Sequence, residues 1–359
     1  MTDLHVVVPA GIHDPSRPSG GNTYDRRLVA GLNDLGWHVH EHEVVGAWPH
    51  PDAAALAGVA ALLADVPPGA LVLVDGLVAC CADAVLGPEG DRLRLVVLVH
   101  MPLGPADPAA AAGERRVLSA ASAVVTPSRW TRDLLLETYA LDPALVHVAR
   151  PGVDASPVAP GTAHGGELLC VAAVTPHKGH TDLADALTLV ADLPWRCVCA
   201  GSLALDPARV ADVRDRLTRA GLAERVSFPG PLTGVALDQA YAAADLLVLP
   251  SLAETYGMVV TEALARGIPV LATSVGGLPE ALGPDADGPD GDGSDPGIPG
   301  LLVPAGRPDR LAAALRSWLR HDDLRARLRH RALERRRTLT PWSRTAEEVS
   351  GVLERVWGV

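Results

Sequence analysis

Short runs of β-branched and aliphatic residues alternate along the chain with longer amphipathic runs rich in Ala and Leu. The short runs are apolar on both faces, as strands of a parallel sheet are when helices cover both sides. They predict strands at 4–9, 71–75, 95–100, 123–126, 167–174, 196–200, 226–228, 246–249 and 270–272, with helices between them. This alternation predicts right-handed β–α–β units and a doubly wound α/β fold.

The alternation is interrupted after the segment Arg150-Pro151-Gly152-Val153-Asp154. Residues 155–166 are mostly Pro, Ala, Gly, Thr and Ser without periodicity, and a second series of strands begins at Glu167. Such a stretch is typical of a linker. We therefore expect two Rossmann-like domains, at 1–153 and 154–340.

A second irregular stretch, 283–300, is rich in Asp, Gly and Pro, and its only apolar residues are Ala and Ile. This composition predicts a disordered acidic loop. The spacing of its aspartates is similar to a calcium-binding loop, but the terminal Glu and the flanking helices of an EF-hand are missing. No D-x-D motif stands at the end of a predicted strand. We therefore expect neither calcium in this loop nor a metal elsewhere.

The composition excludes several classes of protein. A formal net charge of −12 disfavours nucleic acid as a partner, and an aromatic content of 3% disfavours a base-stacking surface. The five cysteines lack zinc-site spacing and lie in apolar stretches, which indicates a reducing compartment. No signal-peptide pattern and no apolar run of membrane-spanning length is present. We therefore expect a cytoplasmic protein.

One region, 307–337, is basic, with 11 arginines against four acids. A patch that faces an anionic membrane is one interpretation. The apolar stripe of Leu311, Leu315, Trp318 and Leu319 favours another, in which the arginines occupy the solvent faces of amphipathic helices. We therefore expect no membrane association, and we expect any molecule on which the protein acts to be soluble.

Candidate chemistry in the first half follows two predicted strands, because ligands of open α/β sheets bind at the carboxyl ends of the strands. Gly20 and Gly21 stand just before a helix, where backbone N–H groups can approach an anion. His100 stands at the tip of its strand, where it can contact a sugar or a phosphate. A flexible glycine loop and an ordinary structural histidine are the alternatives.

The second half gives more specific signals. Lys178, the only lysine of the chain, lies between a strand and a helix beside Gly179, where its ammonium can meet a phosphate. Glu254 and Glu262 flank a glycine-containing turn that follows a buried strand. Gly257 stands where this turn enters a helix, so nearby N–H groups are donors for anionic oxygens. Two solvated surface acids would be the alternative interpretation.

Glu254 and Glu262 match an E-x7-E motif, and the glycine-rich and lysine-containing loops accompany it at fitting positions. Together these residues resemble the retaining glycosyltransferases of family four, which have the two-domain GT-B fold with a cleft between its domains. The resemblance covers essentially the whole chain. The segments that carry it are 19–22, 127–129, 150–154, 171–179, 254–262, 276–280 and 300–304.

The resemblance implies roles for the second domain, which would bind the donor. Lys178 would hold the donor diphosphate, Glu262 the nucleotide ribose, and Glu254 the hydroxyls of the donor sugar. The backbone from Gly257 through Met258 and Val259 would contact the sugar and the phosphate. Leu232, which follows another strand, would border the base.

For the first domain, the resemblance implies an acceptor side and the capture of a small-molecule acceptor. The loop of Gly20 and Gly21 would approach the donor phosphate, and His100 would lie near the transferred sugar. The family's chain crosses back at its end, so a helix within 341–359 would pack on this domain. Its apolar stripe of Val349, Val352, Leu353 and Val356 needs such a surface.

The chain departs from the family pattern at one position. The family has an arginine five residues before the lysine, and Ala173 stands there. This leaves one cation in the loop for a diphosphate leaving group, which costs electrostatic stabilisation of the transition state. Arg129 or Arg150 are candidates to replace it.

The sequence thus favours a retaining, metal-independent glycosyltransferase that uses a nucleotide-diphosphate sugar and no cofactor. The resemblance implies front-face displacement, in which phosphate leaves and hydroxyl enters on the same side of the anomeric carbon. A nucleotide-sugar epimerase or a phosphorylase on the same fold is one alternative. A non-catalytic nucleotide-sugar-binding partner is another. The donor base, the sugar, the acceptor and the oligomeric state stay open.

Overall fold

The structure, a computed structural model, describes residues 2–14, 18–105, 107–283 and 297–358. The chain divides into two compact units. The first contains Met1–Asp14, Ser19–Gly152 and Pro341–Val359, and the second contains Val153–Thr340. Most of the acidic stretch expected to be disordered, residues 284–296, lies outside the described residues.

The first unit is built on a six-stranded parallel sheet. Its strands are β1 (Asp3–Pro9), β2 (His38–Val44), β3 (Leu71–Asp75), β4 (Arg94–Leu98), β5 (Ala123–Thr126) and β6 (Val146–Val148). Its helices are α1 (Gly20–Asp34), α2 (Ala53–Ala64), α3 (Gly76–Ala79), α4 (Asp83–Glu89), α5 (Pro108–Ala120), α6 (Arg129–Tyr139) and α14 (Trp342–Trp357). The strand order is β2-β1-β3-β4-β5-β6.

The second unit has a parallel sheet of its own, also six-stranded. Its strands are β7 (Glu167–Val171), β8 (Arg196–Ala200), β9 (Val226–Gly230), β10 (Leu246–Leu249), β11 (Val270–Thr273) and β12 (Gly300–Val303). Its helices are α7 (His180–Leu189), α8 (Pro207–Arg219), α9 (Gly234–Ala242), α10 (Met258–Ala265), α11 (Leu278–Leu282), α12 (Pro308–Arg320) and α13 (Asp322–Arg336). The strand order is β12-β11-β10-β7-β8-β9.

The predicted α/β class with two parallel doubly wound sheets is confirmed. The central strands β3, β5, β10 and β11 are buried along their whole length, which is why they read as continuous apolar runs. Three strands escaped prediction: β2, β6 and β12. Strand β2 alternates histidine and glutamate, and the segment of β12 was noted only as part of the family resemblance.

Two predicted strands end earlier than expected. Strand β4 ends at Leu98, so His100 lies in the following loop rather than in the strand. Strand β7 ends at Val171, which places Ala173 in a loop as well. In the part of the chain that the structure describes, no helix combines the length and the apolar character needed to cross a bilayer.

Helix α14 packs on the first unit, because its buried residues Val349, Val352 and Leu353 join the core formed by β1, β3 and α1. Its contact with α1 is close: a Cβ added at Gly31 would lie 2.6 Å from the Cβ of Ala346. A hydrogen bond ties the helix to the sheet edge, since Trp37 Nε1 donates to Ser350 Oγ over 2.9 Å. The first unit is thus completed by a segment far from it in sequence.

This packing predicts that Leu353→Ala destabilises the first unit. Leu353 is fully buried, so the substitution removes apolar contacts and leaves a cavity, at a cost of about 2–5 kcal/mol in the free energy of unfolding. Urea unfolding, followed by tryptophan fluorescence, measures the change. Glu347→Ala on the exposed face of α14 is the control, with less than about 1 kcal/mol expected. Equal stability of the two variants would contradict the packing.

Candidate functional site

Each sheet has one point at which the chain reverses its direction of strand addition. In the first sheet it lies between β1 and β3, and in the second between β7 and β10. At such a point, the loops that follow the two strands diverge and leave a crevice at the carboxyl ends, where ligands of open α/β sheets bind. The predicted site residues of the second unit follow its two switch-point strands, except Leu232, which follows β9.

The two loops at the second switch point bring Lys178 and Glu254 together. Lys178 Nζ lies 2.6 Å from Glu254 Oε2, and the two side chains are 18% and 11% exposed. Ser251 Oγ also donates to Glu254 Oε2, over 3.4 Å. Sequence reasoning had named both residues but not their contact, since 76 positions separate them. Lys178 and Glu254 therefore form a partly buried ion pair beside the crevice.

Close backbone packing holds the Lys178 loop. The chain turns at Gly179 with a φ of +68°, and a Cβ there would lie 1.9 Å from the carbonyl oxygen of Pro250. Only glycine combines this left-handed conformation with such an approach. The backbone N–H of Leu252 also donates to the carbonyl of His177 over 2.7 Å. The two switch-point loops are therefore pinned to each other.

Glu254 is held from its other side by the turn after β11. A Cβ at Gly276, whose φ is +56°, would lie 1.7 Å from the carbonyl oxygen of Glu254. The N–H of Gly277 donates to that same carbonyl over 3.0 Å. Sequence reasoning had noted these glycines only as part of a resemblance. Their physical role is to let the backbone of a third loop lie against Glu254.

Glu262 lies within α10, which begins at Met258 directly after Gly257. Its Oε2 accepts a hydrogen bond of 2.7 Å from the hydroxyl of Tyr241, on α9. Arg266 covers the ring of Tyr241, with Cζ 4.5 Å from the ring centroid. Burial raises the pKa of Glu262, although Tyr241 and Arg266 act in the opposite direction. Tyr241 and Arg266 were not predicted from the sequence.

The remaining predicted residues of this unit surround α9 and α10. Met258 and Val259 form the first turn of α10, where backbone N–H groups lack partners within the helix. Leu232 is half-buried in the loop between β9 and α9, the helix that carries Tyr241. The structure thus gathers these predicted residues on adjacent loops and helices.

Among the residues predicted for the first unit, His100 makes the strongest polar contacts. Its Nε2 lies 2.8 Å from Asp25 Oδ1 and 3.5 Å from Asp75 Oδ2. Gly21 packs on the ring, since a Cβ there would lie 3.2 Å from His100 Cδ2. Gly20 precedes it at the start of α1, whose N-cap Ser19 accepts a hydrogen bond from the N–H of Asn22. The glycine loop and His100 are therefore neighbours.

The two aspartates were missed by sequence reasoning, and both are buried, at 3% and 5% exposure. Asp75 ends β3 at the switch point, where its Oδ1 accepts a hydrogen bond of 2.6 Å from the N–H of Leu77. Asp25 lies on α1, and its Oδ2 has no hydrogen-bond partner within the described part of the chain. Asp75 is the single polar residue of β3, which reads LVLVD. A polar residue at the end of an otherwise apolar strand is the pattern that could have identified it from the sequence.

The two carboxylates control the protonation of His100. Burial by itself disfavours the imidazolium, but Asp25 and Asp75 outweigh burial and raise the pKa of His100 to about 9. Burial and the neighbouring Asp25 raise the pKa of Asp75. At neutral pH, His100 is therefore a cation that keeps an N–H on Nδ1 as well as on Nε2.

The same three side chains have the donor set of a cation site. One ligand atom from each of Asp25, Asp75 and His100 lies within 4.8 Å of the others. A charged His100, however, offers no lone pair to a metal, and its Nε2–H already donates to Asp25. Independence from metal remains a prediction for this protein.

Glu114, also missed from the sequence, anchors the loop that follows His100. This fully buried carboxylate accepts hydrogen bonds from the N–H groups of Leu103, over 3.0 Å, and Gly104, over 2.8 Å. The hydroxyl of Tyr139 donates to it as well. Three donors satisfy the buried charge, so the loop beyond His100 is fixed to α5.

Two protein-family models match the chain. The model described as "Glycosyl transferases group 1" matches residues 164–335, and the model described as "Glycosyltransferase Family 4" matches residues 50–156. The second match lies almost wholly in the first unit and the first match in the second unit, and together they leave mainly the N-terminal region and α14 unmatched.

Curated relatives share about a third of the residues. A D-inositol 3-phosphate glycosyltransferase of Jonesia denitrificans is 34% identical over 263 residues, which cover 68% of this chain and 59% of the relative. A protein of the same name from Kineococcus radiotolerans is 32% identical over 262 residues, with the same shares covered. The matched region spans about three fifths of the length of these relatives.

Solved structures share the fold along the whole chain. A sucrose-phosphate synthase from Thermosynechococcus elongatus has a TM-score of 0.78 at 21% identity, with 99% of each chain covered. The Anabaena protein HepE, in complex with UDP-glucose, has a TM-score of 0.76 at 18% identity, with 99% of this chain and 100% of that chain covered. At these identities, the similarity concerns the fold.

The geometry around His100 predicts that Asp25→Asn lowers the pKa of His100, because it removes the anion in closest contact with the ring. In the unsubstituted protein, the folded state holds this proton more tightly than the unfolded chain. The stabilisation by His100 is therefore complete below pH 6.5 and is lost as the pH rises towards about 9.

An NMR titration of the histidine rings measures this change. Asp133→Asn, at an exposed aspartate on α6, is the control and leaves the pKa of His100 unchanged. Titration of His100 at its ordinary pKa of 6.5 in the unsubstituted protein would contradict the assignment.

Proposed function

We propose that this chain, which belongs to the family-four glycosyltransferases of the GT-B fold, transfers a sugar from a nucleotide-diphosphate sugar to a hydroxyl or amine of a small-molecule acceptor with retention of configuration. The observation that carries the proposal is the Lys178–Glu254 ion pair at the switch point of the second sheet. The second unit is proposed to bind the donor, and the first to serve the acceptor side.

The ion pair suits a site that receives a diphosphate. An ammonium has three N–H donors and no acceptor, so Lys178 can hold a phosphate oxygen while one donor still faces Glu254. The first turn of α10, with the N–H groups of Met258 and Val259, supplies further donors and the positive end of a helix dipole. These groups are proposed to take the place of the family's arginine, whose position is occupied by Ala173 in this chain.

Glu262 and Glu254 are proposed to contact different parts of the donor. Glu262 lies inside α10, where Tyr241 fixes its Oε2, so its other oxygen is oriented for a ribose hydroxyl. Glu254 lies before α10, in the loop beside Lys178, and is proposed to meet the sugar hydroxyls. Leu232 is proposed to border the base at the start of α9.

The reaction proposed for this site is a front-face displacement. The bond between the anomeric carbon and the phosphate oxygen breaks, and the phosphate leaves with the electron pair. The acceptor oxygen bonds to the anomeric carbon on the same face, and its proton passes to the departing phosphate oxygen. Lys178 and the N-terminus of α10 stabilise the charge that grows on the phosphate, so the protein contributes position and electrostatics.

From the first unit, His100, Gly20 and Gly21 are proposed to act on the donor. With Nε2 engaged by Asp25, a charged His100 has the Nδ1–H left to donate to a sugar or phosphate oxygen. Gly21 keeps the space beside this ring open, because any side chain there would press on it. No metal ion and no cofactor takes part in this proposal.

The curated relatives carry a name that specifies an inositol phosphate, a small polar molecule, which supports a soluble small-molecule acceptor here. The test is native mass spectrometry with UDP-, GDP-, ADP- and dTDP-sugars, followed by turnover assays with an acceptor panel that includes inositol phosphates. An isomer formed without acceptor would establish an epimerase, and a requirement for phosphate would establish a phosphorylase. Binding without turnover across the panel would establish a non-catalytic binder.

We predict that Lys178→Ala lowers kcat/KM roughly 10- to 150-fold, as expected for the loss of a charge-assisted contact worth about 1.5–3 kcal/mol. The free energy of unfolding should also fall, because the substitution leaves the partly buried carboxylate of Glu254 without its partner. Steady-state kinetics and urea unfolding measure the two effects. Arg310→Ala, which removes an exposed cation of the same unit, is the control. A rate for Lys178→Ala close to that of the control would remove the assignment.

We also predict different defects for the two glutamates. Glu262→Gln should weaken nucleotide and donor alike, roughly tenfold or more, because the ribose is remote from the breaking bond. Glu254→Gln should lower kcat while nucleotide affinity stays equal or improves, since neutralising Glu254 frees the Lys178 ammonium for phosphate.

Calorimetric titration with nucleotide and steady-state kinetics separate these two effects. Glu224→Gln is the control at an exposed glutamate of the same unit. Wild-type behaviour of both site variants would show that Glu254 and Glu262 have a structural role and do not contact the donor.

A further inference from the structure

The outer edge of the first sheet carries an unusual concentration of histidines. Strand β2, the edge strand, reads HVHEHEV, so its three histidines share one face while its glutamates point to the other. The register pairs Asp3 of β1 with His38, and His5 with His40. Paired residues of neighbouring strands share a face. One face of this edge therefore presents Asp3, His5, His38, His40 and His42.

Two of these imidazoles converge on one carboxylate oxygen. Asp3 Oδ1 lies 2.7 Å from His38 Nδ1 and 3.0 Å from His40 Nε2. The two rings are neighbours, with centroids 4.4 Å apart. One ligand atom from each of the three residues lies within 4.8 Å of the others. Three potential ligands from two strands are therefore already assembled around one point.

We propose that Asp3, His38 and His40 form a binding site for a divalent transition-metal cation. A tetrahedral zinc ion with bonds of about 2.0–2.2 Å holds its ligand atoms roughly 3.4 Å apart. The contacts of 2.7 and 3.0 Å need to widen by roughly 0.4–0.7 Å to admit such an ion. The cation takes the place of the N–H protons that now point at the carboxylate. A neutral ring then carries its proton on the other nitrogen, and a ring with two N–H groups releases one proton to solvent.

The ligand set decides the class of metal. Two imidazole nitrogens and one carboxylate oxygen suit Zn²⁺, Ni²⁺, Co²⁺ or Cu²⁺, whereas Mg²⁺ and Ca²⁺ prefer oxygen ligands alone. The side chains of Asp3, His38 and His40 are 66%, 58% and 38% exposed, so an ion can enter from solvent. Water completes the coordination at the open positions.

Two more histidines support the site from the side. The ring of His5 stacks on that of His40, with centroids 5.0 Å apart and planes inclined by 22°. His5 Nδ1 in turn lies 3.0 Å from His42 Nε2. This chain of rings restrains the orientation of His40, as partners behind a metal ligand do. His5 and His42 thus position a ligand without being ligands themselves.

The site lies at the amino-terminal end of β1, whereas the proposed chemistry lies at the carboxyl ends of the strands. Asp3 begins β1, and the loop towards Gly21 follows Pro9 at its other end. A seven-residue strand at about 3.3 Å per residue separates the two ends by roughly 20 Å. A cation here therefore binds the edge strand to its neighbour and stabilises the first unit, and it takes no part in sugar transfer.

The experiment is a titration of the whole chain, free of any histidine tag, with ZnCl₂ and NiCl₂ by calorimetry and by thermal unfolding. At one hundred times the Kd, binding of one ion should raise the Tm by roughly 5–10 °C. His40→Ala and Asp3→Asn should each weaken binding at least tenfold and abolish the shift. MgCl₂ should produce none.

Two controls make the assignment specific. His330→Ala, at an exposed histidine of the second unit, should retain the site. His13 lies 2.7 Å from Glu41 on the other face of β2, and His13→Ala should retain it as well. Unchanged affinity in both His40→Ala and Asp3→Asn would overturn the proposal, as would loss of binding only in His13→Ala or an unshifted Tm in the unsubstituted protein.

Discussion

Two opposite charges, the ammonium of Lys178 and the carboxylate of Glu254, meet 2.6 Å apart with little exposure to water. Partly buried charges are stable only when they are paired, and they pair only if the backbone holds both ends. Three loops share that task, because Gly179 and Gly276 let their backbones touch where a side chain would intervene. The sheet supplies the rigid platform, since its buried strands end at one edge and leave only the loops free to carry polar groups.

The first unit has a different balance of charge, with two acids beside one base. Asp25 and Asp75 put two carboxyl groups beside one imidazole, and the site accommodates them by binding protons rather than by adding a cation. Gly21 lies against the same ring, so the glycine loop and the buried acids form one polar cluster. The two units therefore offer complementary chemistry: a cation balanced by one acid in the second, and a cation outnumbered by acids in the first.

Most of the fold could be predicted from the sequence because buried parallel strands are apolar on both faces. Strand β2 could not, since its alternation of histidine and glutamate is that of a polar edge strand, which resembles a loop. The same reason hid Asp25 and Asp75: an acid on a helix and an acid at the end of a strand read as solvated until the topology buries them. Lys178, Glu254 and Glu262 could be named from local patterns, whereas the pairing of Lys178 with Glu254 depends on the register of β7 with β10.

The return of α14 to the first unit has a consequence for the order of folding on the ribosome. Every described helix and strand of the second unit lies within Val153–Thr340, so all of them have been synthesised before the sixteen residues of α14. Until then, the apolar surface around Leu28 and Leu32 that α14 covers stays open to water. Nascent chains with such uncovered surface are prone to aggregate and are held by chaperones. The unit synthesised first is thus the unit completed last.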